Sequence, residues 1–149
     1  MGIIRGERTV EIDAPVDRVF AIAADIEHAP EWQQSLKDVD VHERDSDRRA
    51  TSVETESDAK VRTIRSRLSF AYEPFSAIRW EQERGDVKAL HGWWRLEDLG
   101  GGRTRATYGL EVDPGRMLGM LLRGPAEGKV RDCLVGGAAD GLKARAEAG

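Results

Sequence analysis

The feature that most constrains the fold is a run of six segments, between Leu36 and Asp113, in which apolar and polar residues alternate. Alternation with a period of two is typical of half-buried strands. The links between the segments are short and polar or contain glycine, whereas a parallel connection needs a crossover of about a dozen residues or more. The pattern therefore predicts an antiparallel meander. Its predicted strands span residues 37–45, 48–57, 60–72, 77–84, 87–98 and 103–112.

A first strand and two short helices are predicted before the meander. Residues 7–13 alternate as a strand, and Asp13 and Pro15 then suit the start of a helix. The apolar stripe of this helix is Val16, Val19, Phe20, Ala23 and Ile26. We expect a second short helix to follow Pro30 and to carry Trp32.

A helical pattern, interrupted at Gly124 and Pro125, covers residues 114–147. After the interruption one face is apolar and contains glycine. It comprises Val130, Cys133, Leu134, Gly137, Ala138, Gly141 and Leu142. The sequence thus predicts one α+β domain over residues 1–149. In this domain a curved antiparallel sheet of about seven strands wraps around a long C-terminal helix, with two short helices between strands one and two.

Composition excludes several classes of function. A chain of 149 residues can bury a core without a metal or a disulfide. Its net charge of -4, with both signs interspersed, argues against nucleic acid as a partner. One cysteine and three histidines lack metal-ligand spacing, so we expect no metal and no other cofactor. No apolar stretch approaches the roughly 20 residues of a membrane helix, and no signal peptide is visible, so we expect no integral membrane segment and a cytoplasmic location.

Strand alternation also predicts which side chains face the C-terminal helix. The inward set is Ile64, Ser66, Leu68, Phe70, Tyr72, Ile78, Trp80, Gln82, Leu90, Gly92, Trp94, Leu96, Thr104, Ala106, Tyr108, Leu110 and Val112. Arg62 shares the inward parity, whereas Arg67 falls on the outer face. Trp93 also falls on the outer face, which fits a homodimer contact, a partly covered edge residue or a wrong strand phase.

Large inward aromatic side chains are predicted to face the small residues Gly137, Ala138 and Gly141. A glycine inside a helix costs about 1 kcal/mol relative to alanine, so two on one buried face need a reason. One reason is close approach of the helix to the sheet. The other is an unfilled cleft, on the order of several hundred Å³, for a small molecule. If the cleft exists, Met117–Leu122 would form a lid over its mouth.

The second explanation gives a set of candidate ligand-binding residues. They are Trp32, Ser66, Leu68, Phe70, Trp80, Gln82, Trp94, Tyr108, Leu110, Met117, Leu121, Leu134, Gly137 and Gly141. Arg62, Ser66, Gln82 and Tyr108 would be the polar groups that orient a ligand. Each of these four also fits hydrogen bonding to backbone or water near the ends of the sheet.

The order of these elements, with their local motifs, resembles a known family. The motifs are Val10–Pro15 with Val19, Phe20 and Asp25, Pro30–Trp32, Gly92–Leu96, Thr104–Tyr108 with Leu110, and Leu142 with Lys143. The chain resembles the START-like superfamily, also called Bet v 1-like, SRPBCC or helix-grip. Within it, the chain is most similar to the bacterial polyketide cyclase/dehydrase and lipid-transport group. This resemblance implies a cavity between sheet and long helix that holds lipids, polyketides or isoprenoid quinones.

The resemblance leaves three functions open. The first is non-catalytic binding of a hydrophobic small molecule. The second is an aromatase/cyclase that orients a poly-β-ketone for aldol closure and dehydration, with Arg62 or Arg67, Ser66 and Tyr108 as candidate catalytic residues. Ring closure needs a proton acceptor, and no histidine or carboxylate is predicted to face inward. The third is a protein-interaction module, for which Trp93 is the only clue.

Overall fold

Seven strands form one antiparallel sheet in this protein. The computed structural model describes residues 3–58, 63–116, 128 and 131–148, apart from the side chains at 133 and 134. The strands are β1 (Ile4–Ile12), β2 (Leu36–Arg44), β3 (Ala50–Asp58), β4 (Thr63–Glu73), β5 (Ala77–Gly85), β6 (Ala89–Gly100) and β7 (Arg103–Asp113). Their spatial order is β1-β7-β6-β5-β4-β3-β2. The predicted meander is therefore confirmed, and β1 extends it by pairing with β7.

Helices cover one face of the sheet. Helix α1 (Val16–Ala24) buries Val19, Phe20 and Ala23, which belong to the predicted apolar stripe. A 3₁₀ helix (Ile26–Glu31) follows it. Near the C-terminus a π-helical turn (Asp132–Gly136) leads into helix α2 (Gly137–Glu147). The predicted α+β helix-grip architecture is thus confirmed.

The second short helix differs from the prediction, because it contains Pro30 instead of following it. The helix ends at Glu31. The next residue, Trp32, has a non-helical φ of -130°, and its N–H donates to the Ala29 carbonyl at 3.1 Å. Proline lacks an N–H and interrupts an α-helical ladder, which fits a short 3₁₀ turn here. Trp32 is thereby left just beyond the helix.

The two faces of the sheet differ as strand alternation predicted. Ile64, Leu68, Ile78 and Trp94 are buried on the inner face. The outer face carries ion pairs between neighbouring strands. They include Arg95 with Glu7 at 2.9 Å and Arg105 with Glu97 at 3.0 Å. This face is therefore a mosaic of opposite charges, as the sequence indicated.

A buried hydroxyl joins β7 to the residues before α1. Thr104 is fully buried, and its Oγ1 donates to the Ala14 carbonyl oxygen at 2.8 Å. Replacing Thr104 with valine should lower the free energy of unfolding by about 1–2 kcal/mol, because the buried carbonyl loses its partner. Urea denaturation measures this. Thr9→Val is the control: Thr9 is exposed and its hydroxyl pairs with the Thr107 hydroxyl at 2.9 Å, so the substitution removes a hydrogen bond without depriving a buried carbonyl of its partner. An equal effect of the two substitutions would contradict the explanation.

Candidate ligand-binding cavity

A cavity of about 100 Å³ lies between the inner face of the sheet and the segment that runs from α1 to β2. All seven strands contribute to its wall. The aliphatic lining residues are Ile4, Ala23, Ile26, Ala29, Leu36, Ile64, Leu68, Val87, Leu90, Leu110 and Val112. The remaining lining residues are aromatic or carry a neutral polar group. They are Trp32, Gln33, Ser35, Thr55, Ser57, Ser66, Phe70, Trp80, Trp94 and Tyr108.

A chain of aromatic rings forms one wall of the cavity. Trp94 and Tyr108 are opposite each other across β6 and β7, with ring centroids 4.6 Å apart and edge-to-face geometry. Trp80 lies 5.6 Å from Tyr108, and Phe70 lies 5.6 Å from Trp80. Trp32 completes the chain at 6.3 Å from Trp94. Distances of this kind are favourable for aromatic pairs, so the rings support one another.

Two of the tryptophans lie over glycines on the neighbouring strand. Trp80 pairs with Gly92 on the inner face, where a Cβ on the glycine would lie 2.4 Å from the indole. Trp93 pairs with Gly109 on the outer face, where the corresponding distance is 2.1 Å. Each glycine leaves room for a ring to lie flat against the backbone. Trp93 is thereby half-buried within its own sheet, and a homodimer contact through it stays a prediction.

A short series of hydrogen bonds lies at the β3–β4–β5 side of the cavity. The Ser66 hydroxyl donates to Gln82 Oε1 at 3.0 Å, and Gln82 Nε2 donates to the Val87 carbonyl at 2.9 Å. Thr55 lies directly opposite Ser66 and donates to the Ser66 carbonyl at 3.5 Å. These groups are neutral, and the bonds through Gln82 hold the Ser66 hydroxyl in a defined orientation.

Tyr108 is the ionisable group among the described residues that line the cavity. Burial raises the pKa of its phenol well above the ordinary value of about 10, and a hydrogen bond with the Gln33 side chain acts in the opposite direction. The phenol is therefore protonated at neutral pH. In that state Tyr108 is a hydrogen-bond donor, and it is a poor proton acceptor for catalysis.

Comparison with known proteins places the chain in a family. Residues 4–147 match the family described as polyketide cyclase/dehydrase and lipid transport. The chain belongs to this family. No curated protein matches it in sequence.

Solved structures of other proteins share the fold of this chain. A START superfamily protein from Mycobacterium smegmatis matches with a TM-score of 0.83 and 21% identity, over 99% of both chains. A protein from Thermus thermophilus matches with a TM-score of 0.80 and 21% identity, over 99% of this chain and 98% of that one. The Zhui aromatase/cyclase from a Streptomyces species matches with a TM-score of 0.76 and 18% identity, over 98% of this chain and 94% of that one. At these identities the likeness shows the fold alone.

The structure brings many of the predicted site residues of this family member together. Those that line the cavity are Trp32, Ser66, Leu68, Phe70, Trp80, Trp94, Tyr108 and Leu110. Gln82 does not line it, but lies behind Ser66 and accepts the serine hydrogen. Arg67 lies on the outer face, where its Nε donates to Ser52 Oγ at 3.3 Å. Arg62, Met117, Leu121, the side chain of Leu134 and the predicted lid Met117–Leu122 lie outside the described residues.

The two helix glycines, Gly137 and Gly141, are not among the residues that line this cavity, and their contact with a ligand stays a prediction. A Cβ on Gly141 would lie 2.0 Å from the Trp32 carbonyl oxygen, so this glycine permits close approach of α2 to the backbone after the 3₁₀ helix. At Gly137, apart from its chain neighbours and its own helix backbone, no described atom lies within 4 Å of the Cβ position. The cavity, at about 100 Å³, is also smaller than the several hundred Å³ expected.

Sequence reasoning identified Trp32 but missed the rest of the wall made by residues 26–36. Ile26, Ala29, Gln33, Ser35 and Leu36 all line the cavity. Ile26 was recognised as apolar, but no periodic pattern assigns the others to a common surface. Ion pairs at 2.7 Å connect this segment to its neighbours, between Glu31 and Arg145 and between Glu27 and Arg44. The wall is therefore a product of tertiary packing.

Among the described lining residues, none carries a carboxylate, an imidazole, an ammonium or a guanidinium group. The arrangement can enclose an apolar molecule and can form hydrogen bonds with it through hydroxyls. Within the part of the chain that the structure describes, no helix is long and apolar enough to cross a membrane.

Proposed function

We propose that this protein binds a mostly apolar small molecule, of lipid, polyketide or isoprenoid type, in the cavity between sheet and helices. The observation that carries the proposal is the chemistry of the wall, which combines aliphatic and aromatic side chains with a few neutral hydroxyls. Small-molecule sites in proteins commonly have this composition. The family's description, which includes lipid transport, agrees with it.

The size of the cavity limits which part of a ligand it holds. A volume of about 100 Å³ is small for a whole lipid or polyketide chain. An engineered apolar cavity of about 150 Å³ in another protein accommodates benzene. A ring, or one end of a longer molecule, is therefore the part that fits between the described residues.

Binding can be measured through the protein's own fluorescence. Three of its four tryptophans, Trp32, Trp80 and Trp94, line the cavity. We expect saturable changes in tryptophan emission when an alkylated benzene is added. Trp93→Phe, on the outer face, should keep this response. Leu110→Phe should weaken binding about tenfold or more, because an added ring fills space that the probe needs.

Native mass spectrometry of protein purified from its own host gives a second test. A retained molecule would identify the ligand class directly. If no molecule is retained and no apolar probe produces a saturable response, the proposed function is wrong.

A cyclase activity is the second candidate, and Tyr108 is the observation that favours it. A protonated phenol inside an apolar cavity can donate a hydrogen bond to the oxygen of a developing enolate. The described wall supplies no proton acceptor to complete the chemistry. Incubation with a reactive poly-β-ketone distinguishes cyclase activity from binding alone. A product spectrum that changes with the protein, and reverts in Tyr108→Phe, would favour the cyclase over a carrier.

A further inference from the structure

The hydrogen bonds behind Ser66 have only one possible direction. The Val87 carbonyl can accept a hydrogen bond but cannot donate one. It therefore faces the NH₂ group of Gln82, with Nε2 at 2.9 Å. This contact fixes the orientation of the amide, so that Oε1 is directed at Ser66. Because an amide oxygen also only accepts, the Ser66 hydroxyl must donate to it, at 3.0 Å.

The direction of this bond determines what Ser66 presents to the cavity. A serine hydroxyl has one hydrogen and two lone pairs, and the hydrogen is already used. The oxygen that lines the cavity is therefore a hydrogen-bond acceptor. Thr55, opposite Ser66, differs in this respect, because its contact with the Ser66 carbonyl is long, at 3.5 Å, and does not fix the direction of its hydrogen.

We propose that this end of the cavity selects ligands that carry a hydrogen-bond donor, such as a phenol, an enol or an alcohol. The inference rests on the proposed function and specifies its ligand class. A carboxylate or an ether oxygen would face the lone pairs of Ser66 without a hydrogen between them. No cation among the described lining residues compensates a carboxylate. Gln82 is then a positioning residue, since it acts on the ligand through Ser66.

The backbone near Gln82 is shaped to hold this arrangement. The pairing of β4 with β5 is irregular between Arg67 and Leu68, which brings Gly85 opposite Ser66. A Cβ on Gly85 would lie 2.4 Å from Gln82 Oε1 and 2.9 Å from the Ser66 Cα. A larger residue there would displace the amide. The glycine and the strand irregularity thus leave room for the hydrogen-bonded pair.

The experiment compares three probes of one shape by isothermal titration calorimetry. They are para-propylphenol, para-propylanisole and para-propylbenzoate at neutral pH. We expect the phenol to bind about tenfold more tightly than the anisole, which is the effect of one added hydrogen bond, and the benzoate to bind most weakly. Ser66→Ala should abolish the difference between phenol and anisole. Gln82→Met should reduce it, because the freed serine hydrogen can turn toward the cavity.

Ser69→Ala is the matched control. Ser69 lies on the same strand with opposite parity, is exposed, and hydrogen bonds to the Glu81 carbonyl at 3.4 Å. It should leave the preference for the phenol unchanged. Thermal unfolding of each variant establishes that it is folded. Gln82→Met supplies the comparison if Ser66→Ala does not fold.

The outcomes distinguish this inference from the proposed function. Equal affinities for phenol and anisole in the unmodified protein would overturn the donor preference and leave the binding function intact. A preference that survives both Ser66→Ala and Gln82→Met would overturn the role of the Ser66–Gln82 pair. Failure of all three probes to bind would contradict the binding function and the inference together.

Discussion

Replacing Gly141 with alanine is expected to destabilise the protein by about 3 kcal/mol, at the upper end of the usual range for overpacking. The new methyl group would lie 2.0 Å from the Trp32 carbonyl oxygen. That oxygen belongs to the backbone, so it cannot move aside as the end of a flexible side chain can. Relief of the clash requires α2 to shift away from the segment after the 3₁₀ helix. The measurement is the free energy of unfolding in urea.

Gly137→Ala is the matched control for this substitution. Both glycines belong to α2, but at residue 137 no described atom outside its chain neighbours and its own helix backbone lies within 4 Å of the Cβ position. Because alanine favours helix over glycine, this variant should be more stable by about 0.5–1 kcal/mol. A similar change in stability for Gly141→Ala and Gly137→Ala would show that close approach to Trp32 does not determine the role of Gly141.

Replacing Gly92 with alanine is expected to affect stability and ligand binding together. The added Cβ would lie 2.4 Å from the Trp80 indole, which is 8% exposed and forms part of the cavity wall. Because the ring lines the cavity, its displacement would change the space that a ligand occupies. We expect a loss of about 2–3 kcal/mol in stability and at least a tenfold weaker affinity for para-propylphenol. Urea denaturation and calorimetric titration measure the two effects.

Gly109→Ala tests the same contact on the opposite face of the sheet. The Cβ would lie 2.1 Å from the Trp93 indole, but this ring is half-buried on the outer face and can turn into solvent. A loss in stability of about 1 kcal/mol or less, with unchanged affinity for the phenol, is therefore expected. If Gly109→Ala weakens binding as much as Gly92→Ala, the effect is not transmitted through the cavity wall.

The strands and their faces could be predicted from the sequence because the relevant information is local. Side chains alternate between the faces of a strand whatever lies on either side of the sheet. Alternation around Ser66, Trp80 and Tyr108 therefore identified the inward side chains correctly. The short links likewise left antiparallel pairing as the only possibility. Arg67 was placed on the outer face by the same reasoning, and the structure agrees.

The candidate site was only partly predictable, because its remaining features depend on contacts between residues distant in the chain. A glycine on a buried helix face indicates that a side chain would not fit there, but it does not show which neighbouring atom prevents it. At Gly141 that atom is the carbonyl oxygen of Trp32, more than a hundred residues earlier in the sequence. Gln82 is a second example of a role that distant contacts determine. Strand alternation placed its side chain on the inner face, and only the hydrogen bond from Ser66 shows its position behind that serine.

The sequence alone thus determined the meander, the orientation of its side chains and the aromatic character of the inner face, because periodicity along a strand encodes all three. The tertiary structure decided where the cavity lies, how large it is and which way its hydroxyl hydrogens point. Those properties depend on how α1, the 3₁₀ helix and α2 pack against the sheet. Packing at this level depends on the shapes of segments that are not neighbours in the chain, and no local pattern records it.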